Sequence, residues 1–332
     1  PRCTRRPLRC FGPSPRSEGH VMSRVHTLNP TPQTVHWGHF DASIASVLEI
    51  DSGDTVIIDT VSGGRGEITD DRWFRPEHLK IVNEVKQTLG PHILTGPVSV
   101  RGALPGDTLE IQIESIELTE DWGWNIIRPL KGALPERFSK LSRRIIPIDR
   151  QAGVARLPWG VDVPLQPFFG IIGVAPPPHY GRVSSIEPRE YGGNIDCKEF
   201  TPGTSLFLPI FVPGGHVSVG DGHAVQGDGE VCLTALETCL RGRFRIVLHR
   251  DELSFPRAIT PTHYITLGMN VDLDDAASQA LNLMVDWLVE LKAWDPEEAY
   301  VFCSLACDLH VTQLVDGNKG IHAMVSRQVL GL

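Results

Sequence analysis

The sequence predicts a mainly β protein, a β-sandwich or barrel-like body with a C-terminal α+β portion, on three observations. From Arg24 to about Arg250, short apolar runs alternate with clusters of Gly, Pro, Asp and Asn, which is the punctuation of strands and tight turns. Two segments in that stretch, IDSGDTV and ALPGDTL, share an apolar-x-x-G-D-T-apolar shape and hint at a repeated β unit. After about Phe255 the apolar spacing changes from the period of strands to that of helices.

Each element has its own local reason. TVIIDTV (55–61), the segment 99–118 and the segment 232–250 carry β-branched or alternating patterns with turn residues between them. Asp54, Asp107 and Asp228 each sit in a Gly-Asp pair and read as turn formers. In the C-terminal portion, Ala277, Ala280, Leu281, Met284, Leu288 and Leu291 recur at helical spacing, with Asp272 or Asp274 placed to cap the first turn. A second helix follows, with Asp295 as N-cap, Pro296 in the first helical position, Glu298 for the reciprocal cap and a stripe of Ala299, Phe302, Cys303 and Ala306. HVTQLVDGNKGIHAMV closes the chain as two strands around an Asp-Gly-Asn turn. The organisation expected is a tail over 1–21 outside the fold, an N-terminal β part over 22–165, a second β part over 166–255 and the α+β part over 256–332. The tail is Arg-rich, proline-interrupted and nearly free of acids, which predicts disorder and a natural start at Met22.

Composition narrows the function classes. The 332 residues are 41% apolar with a net charge of −9, and no apolar run reaches the length of a membrane helix. An acidic chain without a lysine-arginine stripe argues against a nucleic-acid surface, so a small molecule is the expected partner. Seven Cys without a CxxC pair predict reduced thiols and a cytoplasmic setting. The sequence contains no G-x-S-x-G elbow, P-loop, H-E-x-x-H or G-x-G-x-x-G, which disfavours serine-hydrolase and nucleotide chemistry. Cys197 has Lys198 beside it, but adjacent side chains of an extended segment face opposite ways, so an idle thiol is the better reading.

What remains is acids and histidines on glycine-rich segments. GDGHAVQGDGE brings Asp221, His223, Asp228 and Glu230 together, and Asp196 follows YGGN. Carboxylates crowded around a histidine repel one another unless a positive charge or water lies between them. Asp221 and His223, one residue apart, reach one face of an extended segment and are the first candidates for a metal or active-site role, followed by Asp196 and Glu230. Oxygen and imidazole donors without thiolate suit catalytic zinc, or calcium where carboxylates dominate. The spacing excludes an EF-hand loop, since the third position from Asp221 is His223. His36 and His39 in VHWGHFD are second-tier candidates, whereas His216, His249, His263 and His310, with no acidic constellation in the nearby sequence, read as structural.

These segments resemble the acetamidase/formamidase family from about Val25 to the C-terminus. The resemblance rests on VHWGHFD, LTGPVSVRGALPGDTLEI, DWGWN, GVAP, the long run GGNIDCKEFTPGTSLFLPIFVPGGHVSVGDGHAVQGDGEVCLTALE and DLHVTQLVDGNKGIHAMV. It implies an intertwined, mainly β fold, commonly a homo-oligomer such as a dimer, that hydrolyses short amides to a carboxylic acid and ammonia with divalent metal, zinc and/or calcium, at the site. It places the metal set on Asp196, Asp221 and His223 and the catalytic acids on Glu230 and Glu237, with His92 as a second-tier residue. Were Glu230 to Cys239 one straight strand, Glu230 and Glu237 would face opposite sides, so one of them lies outside the pocket unless a bulge intervenes. Two other readings stay open: hydrolysis of another C–N bond such as a lactam, and a non-catalytic calcium-binding β-sandwich module.

Overall fold

The computed structural model describes residues 23–332; the expected tail over 1–21 and the start at Met22 lie outside the described residues. The fold is mainly β, with helices chiefly near the C-terminus. A nine-stranded sheet runs in the order Val25–Leu28, Thr55–Asp59, Leu240–His249, Thr108–Leu118, Ser205–Pro209, Arg257–Ile259, His263–Asn270, Lys319–Ser326 and Cys307–Gln313. An eleven-stranded sheet is built around Val217–Val225, which pairs with Phe168–Gly173, Ile93–Val100 and Leu236–Glu237. Both sheets take strands from before and after residue 165, so the chain weaves between them.

The two G-D-T segments explain part of that weave. Each ends its turn where a strand begins, and the strands Thr55–Asp59 and Thr108–Leu118 flank Leu240–His249 on its two sides. Asp54 accepts from the backbone N of Arg24 and Asp51, and Asp107 accepts from that of Leu104, so both act as turn formers. Between the sheets lies a core that includes Val56, Ile58, Ile111, Phe169, Ile171, Leu206, Phe244 and Ile246. Each such side chain contributes about 1.5–3 kcal/mol on burial, which fixes the strand faces and hence the register that the site depends on.

Helix α2 (Leu273–Lys292) starts at Asp272, whose side chain accepts from the amides of Asp274 and Asp275. Helix α3 (Pro296–Ala306) carries the full capping box of Asp295 and Glu298. The buried face of α2 is Ala276, Ala280, Met284, Trp287 and Leu288, so the predicted stripe is turned toward Trp287 and leaves Ala277, Leu281 and Leu291 half-buried. Close approach sets this orientation: a Cβ at Gly268 would collide with the Ala276 carbonyl. A further helix, α1 (Pro76–Glu84), stands earlier in the chain in a stretch that reads as strand and turn; with only His78 and Ile81 buried it leaves little periodic signal. Among the described residues, no helix is long and apolar enough to cross a membrane.

Candidate active site

The site is organised by the strand Val217–Val225. His223 lies in register with Phe168 on one neighbouring strand and with Glu237 on the other. Cross-strand partners share a face, so Glu237 Oε1 comes within 3.2 Å of His223 Nε2, while the Phe168 ring meets the imidazole edge-on with centroids 4.9 Å apart. Asp221 Oδ2 lies 3.2 Å from the same nitrogen and Asp196 Oδ1 3.9 Å away. Asp196, Asp221 and His223 form one group of donor atoms within 4.8 Å of one another; His223, Glu230 and Glu237 form a second, and Asp196, Glu230 and Asp316 a third.

The chain bends sharply to achieve this convergence. Asp196, Asp221 and Glu230 all adopt positive φ, at 55°, 56° and 45°, a region uncommon for residues with a Cβ and concentrated at functional sites. Strand pairing is broken between His223 and Val225, and the strand containing Glu237 is only Leu236–Glu237. The stretch from Glu230 to Ala235 is therefore no straight strand, the condition for opposite faces is not met, and the two glutamates converge. Glycine makes the room: a Cβ on Gly170 would overlap Asp196 Oδ1 and stand 2.5 Å from Asp221 Oδ2 and 2.8 Å from His223 Cε1.

The electrostatics are those of acids crowded together out of water. Asp196, Asp221, His223, Glu230, Glu237 and Asp316 are all buried. Both carboxylate oxygens of Asp196, and Oδ2 of Asp316, are buried without a hydrogen-bond partner. Buried charged oxygens without partners are costly. Burial, followed by the Glu230 and Asp316 charges, raises Asp196 well above the usual carboxylate range, and burial with Asp316, Glu237 and Asp221 does the same to Glu230. Burial and the Asp221 charge push Glu237 up to about 8, and burial lifts Asp316 to about 7 despite its contact with Asp196. His223 rises well above its ordinary value because Glu237 and Asp221 outweigh its burial. Asp221 alone is lowered, the His92 and His223 charges overcoming its burial. A divalent cation among these donors relieves the repulsion and gives the unpartnered oxygens a ligand, so the residues present fit one.

One consequence is testable through stability. Glu237 is raised from 4.5 unfolded to about 8 folded. Between those values the folded chain holds the extra proton at Glu237, so chelator-stripped parent should lose stability relative to a stripped Glu237→Gln variant as pH rises from about 5 to about 8, by a few kcal/mol in total. Denaturant melts across that range check this, and saturating zinc or calcium should flatten the slope. A difference between parent and Glu237→Gln that stays level across the range would contradict the reading.

Part of the cluster, without Asp196 and His223, forms one wall of a cavity of about 250 Å³, whose other walls include Val61, Ile93, Trp124, Ile126, Leu233 and Val315. Asp221, Glu230, Glu237, Asp316 and His92 line it, and an Arg128–Glu67 ion pair stands at its side. His92 donates to or accepts from Ser185 Oγ at 2.9 Å and lies 4.0 Å from Asp221. His36 and His39 are engaged elsewhere: His36 with the His39 carbonyl and Ser218 Oγ, His39 with Thr88 and the Trp37 carbonyl. Burial pushes the Cys197 thiol far up, and Lys198 turns to Asp228 at 3.2 Å, so nothing activates that sulfur. Asp316 joins the cluster although its Asp-Gly-Asn setting in the sequence signals only a turn. Two histidines read as lacking acids have them: His249 meets Glu110 at 2.7 Å and His310 meets Asp228 at 3.2 Å.

A family model described as the acetamidase/formamidase family matches residues 26–184 and 179–326. The crystal structure of an acetamidase from Bacillus halodurans superposes with a TM-score of 0.80 at 30% identity, covering 92% of this chain and 98% of that one. A formamidase of Methylophilus methylotrophus is 28% identical over 245 residues, 54% of this chain and 60% of that protein. An acetamidase of Mycolicibacterium smegmatis is 29% identical over 199 residues, 42% of this chain and 49% of that protein. The chain spans about half to three-fifths of the length of the curated relatives it matches.

Proposed function

The chain belongs to the acetamidase/formamidase family, and from that premise we propose that it hydrolyses short linear amides to a carboxylic acid and ammonia at the buried cluster around His223. The observation that carries the reading is the pairing of an apolar cavity with converging, partly unpartnered carboxylates, because hydrolysis of an amide needs a shielded pocket, an electrophilic centre and a proton carrier in one place.

Asp196, Asp221 and His223 would hold a divalent cation, zinc and/or calcium. Such an ion, when bound, polarises an amide carbonyl or brings the pKa of a water toward about 7. Glu237 is held by the Ala235 amide at 3.0 Å, which fixes one oxygen while the carboxyl stays on the cavity wall. Ionised where a bound cation would offset the crowding that raises it, Glu237 takes the proton that water releases on adding to the carbonyl carbon, and returns a proton to nitrogen as the C–N bond breaks, so that ammonia leaves and the acid remains. Glu230, on the same wall, is the second residue able to serve this relay. Asp316 supports the set by facing Asp196 and Glu230. Trp124, Ile93 and Val61 exclude water around the acyl group. A substrate this small offers few atoms for binding energy, so KM should be weak and selection chiefly steric.

The test is ammonia release from formamide, acetamide and propionamide, and, for a γ-lactam, whose ring opening releases no ammonia, the appearance of the amino acid. Each is assayed on protein as purified, after chelation and after zinc or calcium add-back. Turnover of the linear amides that chelation lowers at least tenfold, and that one of the cations restores, is the expected outcome. Turnover indifferent to chelation removes the metal from the proposal, and no ammonia from any linear amide removes the activity.

A further inference from the structure

Outside the His223 cluster, one other set of side chains is arranged as a ligand set. His310 and His322 lie directly opposite each other in the antiparallel pair formed by Cys307–Gln313 and Lys319–Ser326. Cross-strand partners share a face, and here the two imidazoles stack with centroids 5.0 Å apart and 9° between planes. The turn carrying Asp228 is pinned beside them, Gly229 N donating to the Thr312 carbonyl and Leu314 N to the Gly229 carbonyl. Asp228 Oδ2 thereby reaches His310 Nδ1 at 3.2 Å, and one donor atom from each of Asp228, His310 and His322 lies within 4.8 Å of the others.

A separate observation concerns His322 alone. Its side chain is fully buried and its Nδ1 is 2.8 Å from Thr312 Oγ1, yet its Nε2 has no hydrogen-bond partner. A buried ring nitrogen left without a partner is uncommon and asks for an explanation. A histidine whose other nitrogen is held by a hydroxyl is also the usual condition of a metal ligand, because that bond fixes the tautomer and the ring orientation.

We propose that His322, His310 and Asp228 form a second divalent-cation site, separate from the His223 cluster, selective for an imidazole-seeking transition metal such as zinc. Two imidazoles and one carboxylate, with no thiolate, match that class better than calcium, which prefers oxygen ligands throughout. His322 is the fixed ligand. A cation lying in its ring plane lies outside the parallel plane of His310, so His310, which is only half-buried, turns about its Cβ–Cγ bond to complete the set. Lys198 Nζ, 3.2 Å from Asp228 Oδ2, neutralises that carboxylate in the stacked arrangement and is displaced toward solvent when the cation binds. The site ties the Gly227–Glu230 turn to the strand that carries His310.

Zinc titration of chelator-treated protein against a chromophoric competitor tests this, with the full chain and four variants whose melting temperatures verify folding. His310→Ala and Asp228→Asn should each bind one zinc fewer than the parent, or bind that zinc at least tenfold more weakly. His223→Ala should retain it, which separates this site from the amide-hydrolysing one whether or not amide turnover is found. Lys198→Met should bind the same zinc severalfold more tightly, because the resident cation no longer competes. Equal zinc number and affinity in the parent, His310→Ala and Asp228→Asn would overturn the proposal, as would a Lys198→Met protein that binds no tighter.

Discussion

His223→Ala should lower kcat/KM for short amides at least about a hundredfold and strip the divalent cation from the catalytic cluster, with the overall fold retained. The size of the effect follows from where the imidazole stands. Its Nε2 lies within 4 Å of three carboxylates, two of them at 3.2 Å, and the ring is completely buried. Removing it deletes the proposed cation ligand in the loaded protein, and the imidazolium that faces the acids in the stripped one, so Asp196, Asp221 and Glu237 lose their nearest partner. Asp221→Asn should act in the same direction through the same nitrogen. Elemental analysis, circular dichroism and ammonia release decide the matter. A His223→Ala protein with the parent's metal content and a rate within about threefold would show that the histidine only packs against Phe168.

The parts of this arrangement that the sequence made visible are those whose partners are near in the chain. Asp221 and His223 stand one residue apart in a glycine-rich run, and their side chains do meet. Helices α2 and α3 announced themselves by apolar spacing and by Asp272 and Asp295, because capping is a local matter within four residues. The rest depends on partners far along the chain. His310 is separated from Asp228 by 82 positions and His249 from Glu110 by 139, and no pattern near either histidine signals its acid. Asp316 was legible as a turn residue and is one; that the turn delivers its carboxylate to Asp196 and Glu230 depends on sheet order, which local sequence does not encode. Opposite faces for Glu230 and Glu237 would require one straight strand joining them, and positive φ values at Glu230 and Leu233 interrupt it.

Gly170→Ala is expected to cost at least about tenfold, and up to about a hundredfold, in amide turnover, although it adds one methyl to a residue with no catalytic group of its own. The backbone there tolerates alanine: Gly170 belongs to the strand Phe168–Gly173 and is not among the glycines of positive φ, so no conformational strain follows from the substitution. What the methyl meets is the site. It would overlap Asp196 Oδ1 and press within 2.5 Å of Asp221 Oδ2 and 2.8 Å of His223 Cε1, and each of these must retreat. These are side-chain ends rather than backbone, so the fold absorbs the change at modest cost. The donor atoms move by an appreciable fraction of an ångström, and displacements approaching 1 Å in positioned groups cost up to about a hundredfold in rate. The expected signature is therefore a melting temperature close to the parent's with metal affinity and kcat both reduced. Gly153→Ala serves as the comparison for a glycine-to-alanine change away from the cluster, since a Cβ there meets nothing; its positive φ makes it the more strained backbone, so any effect it has should fall on stability and not on turnover. If Gly170→Ala instead keeps the parent's metal affinity and rate, the three side chains do not converge over that glycine in the working enzyme, and the cluster as described is not the catalytic centre.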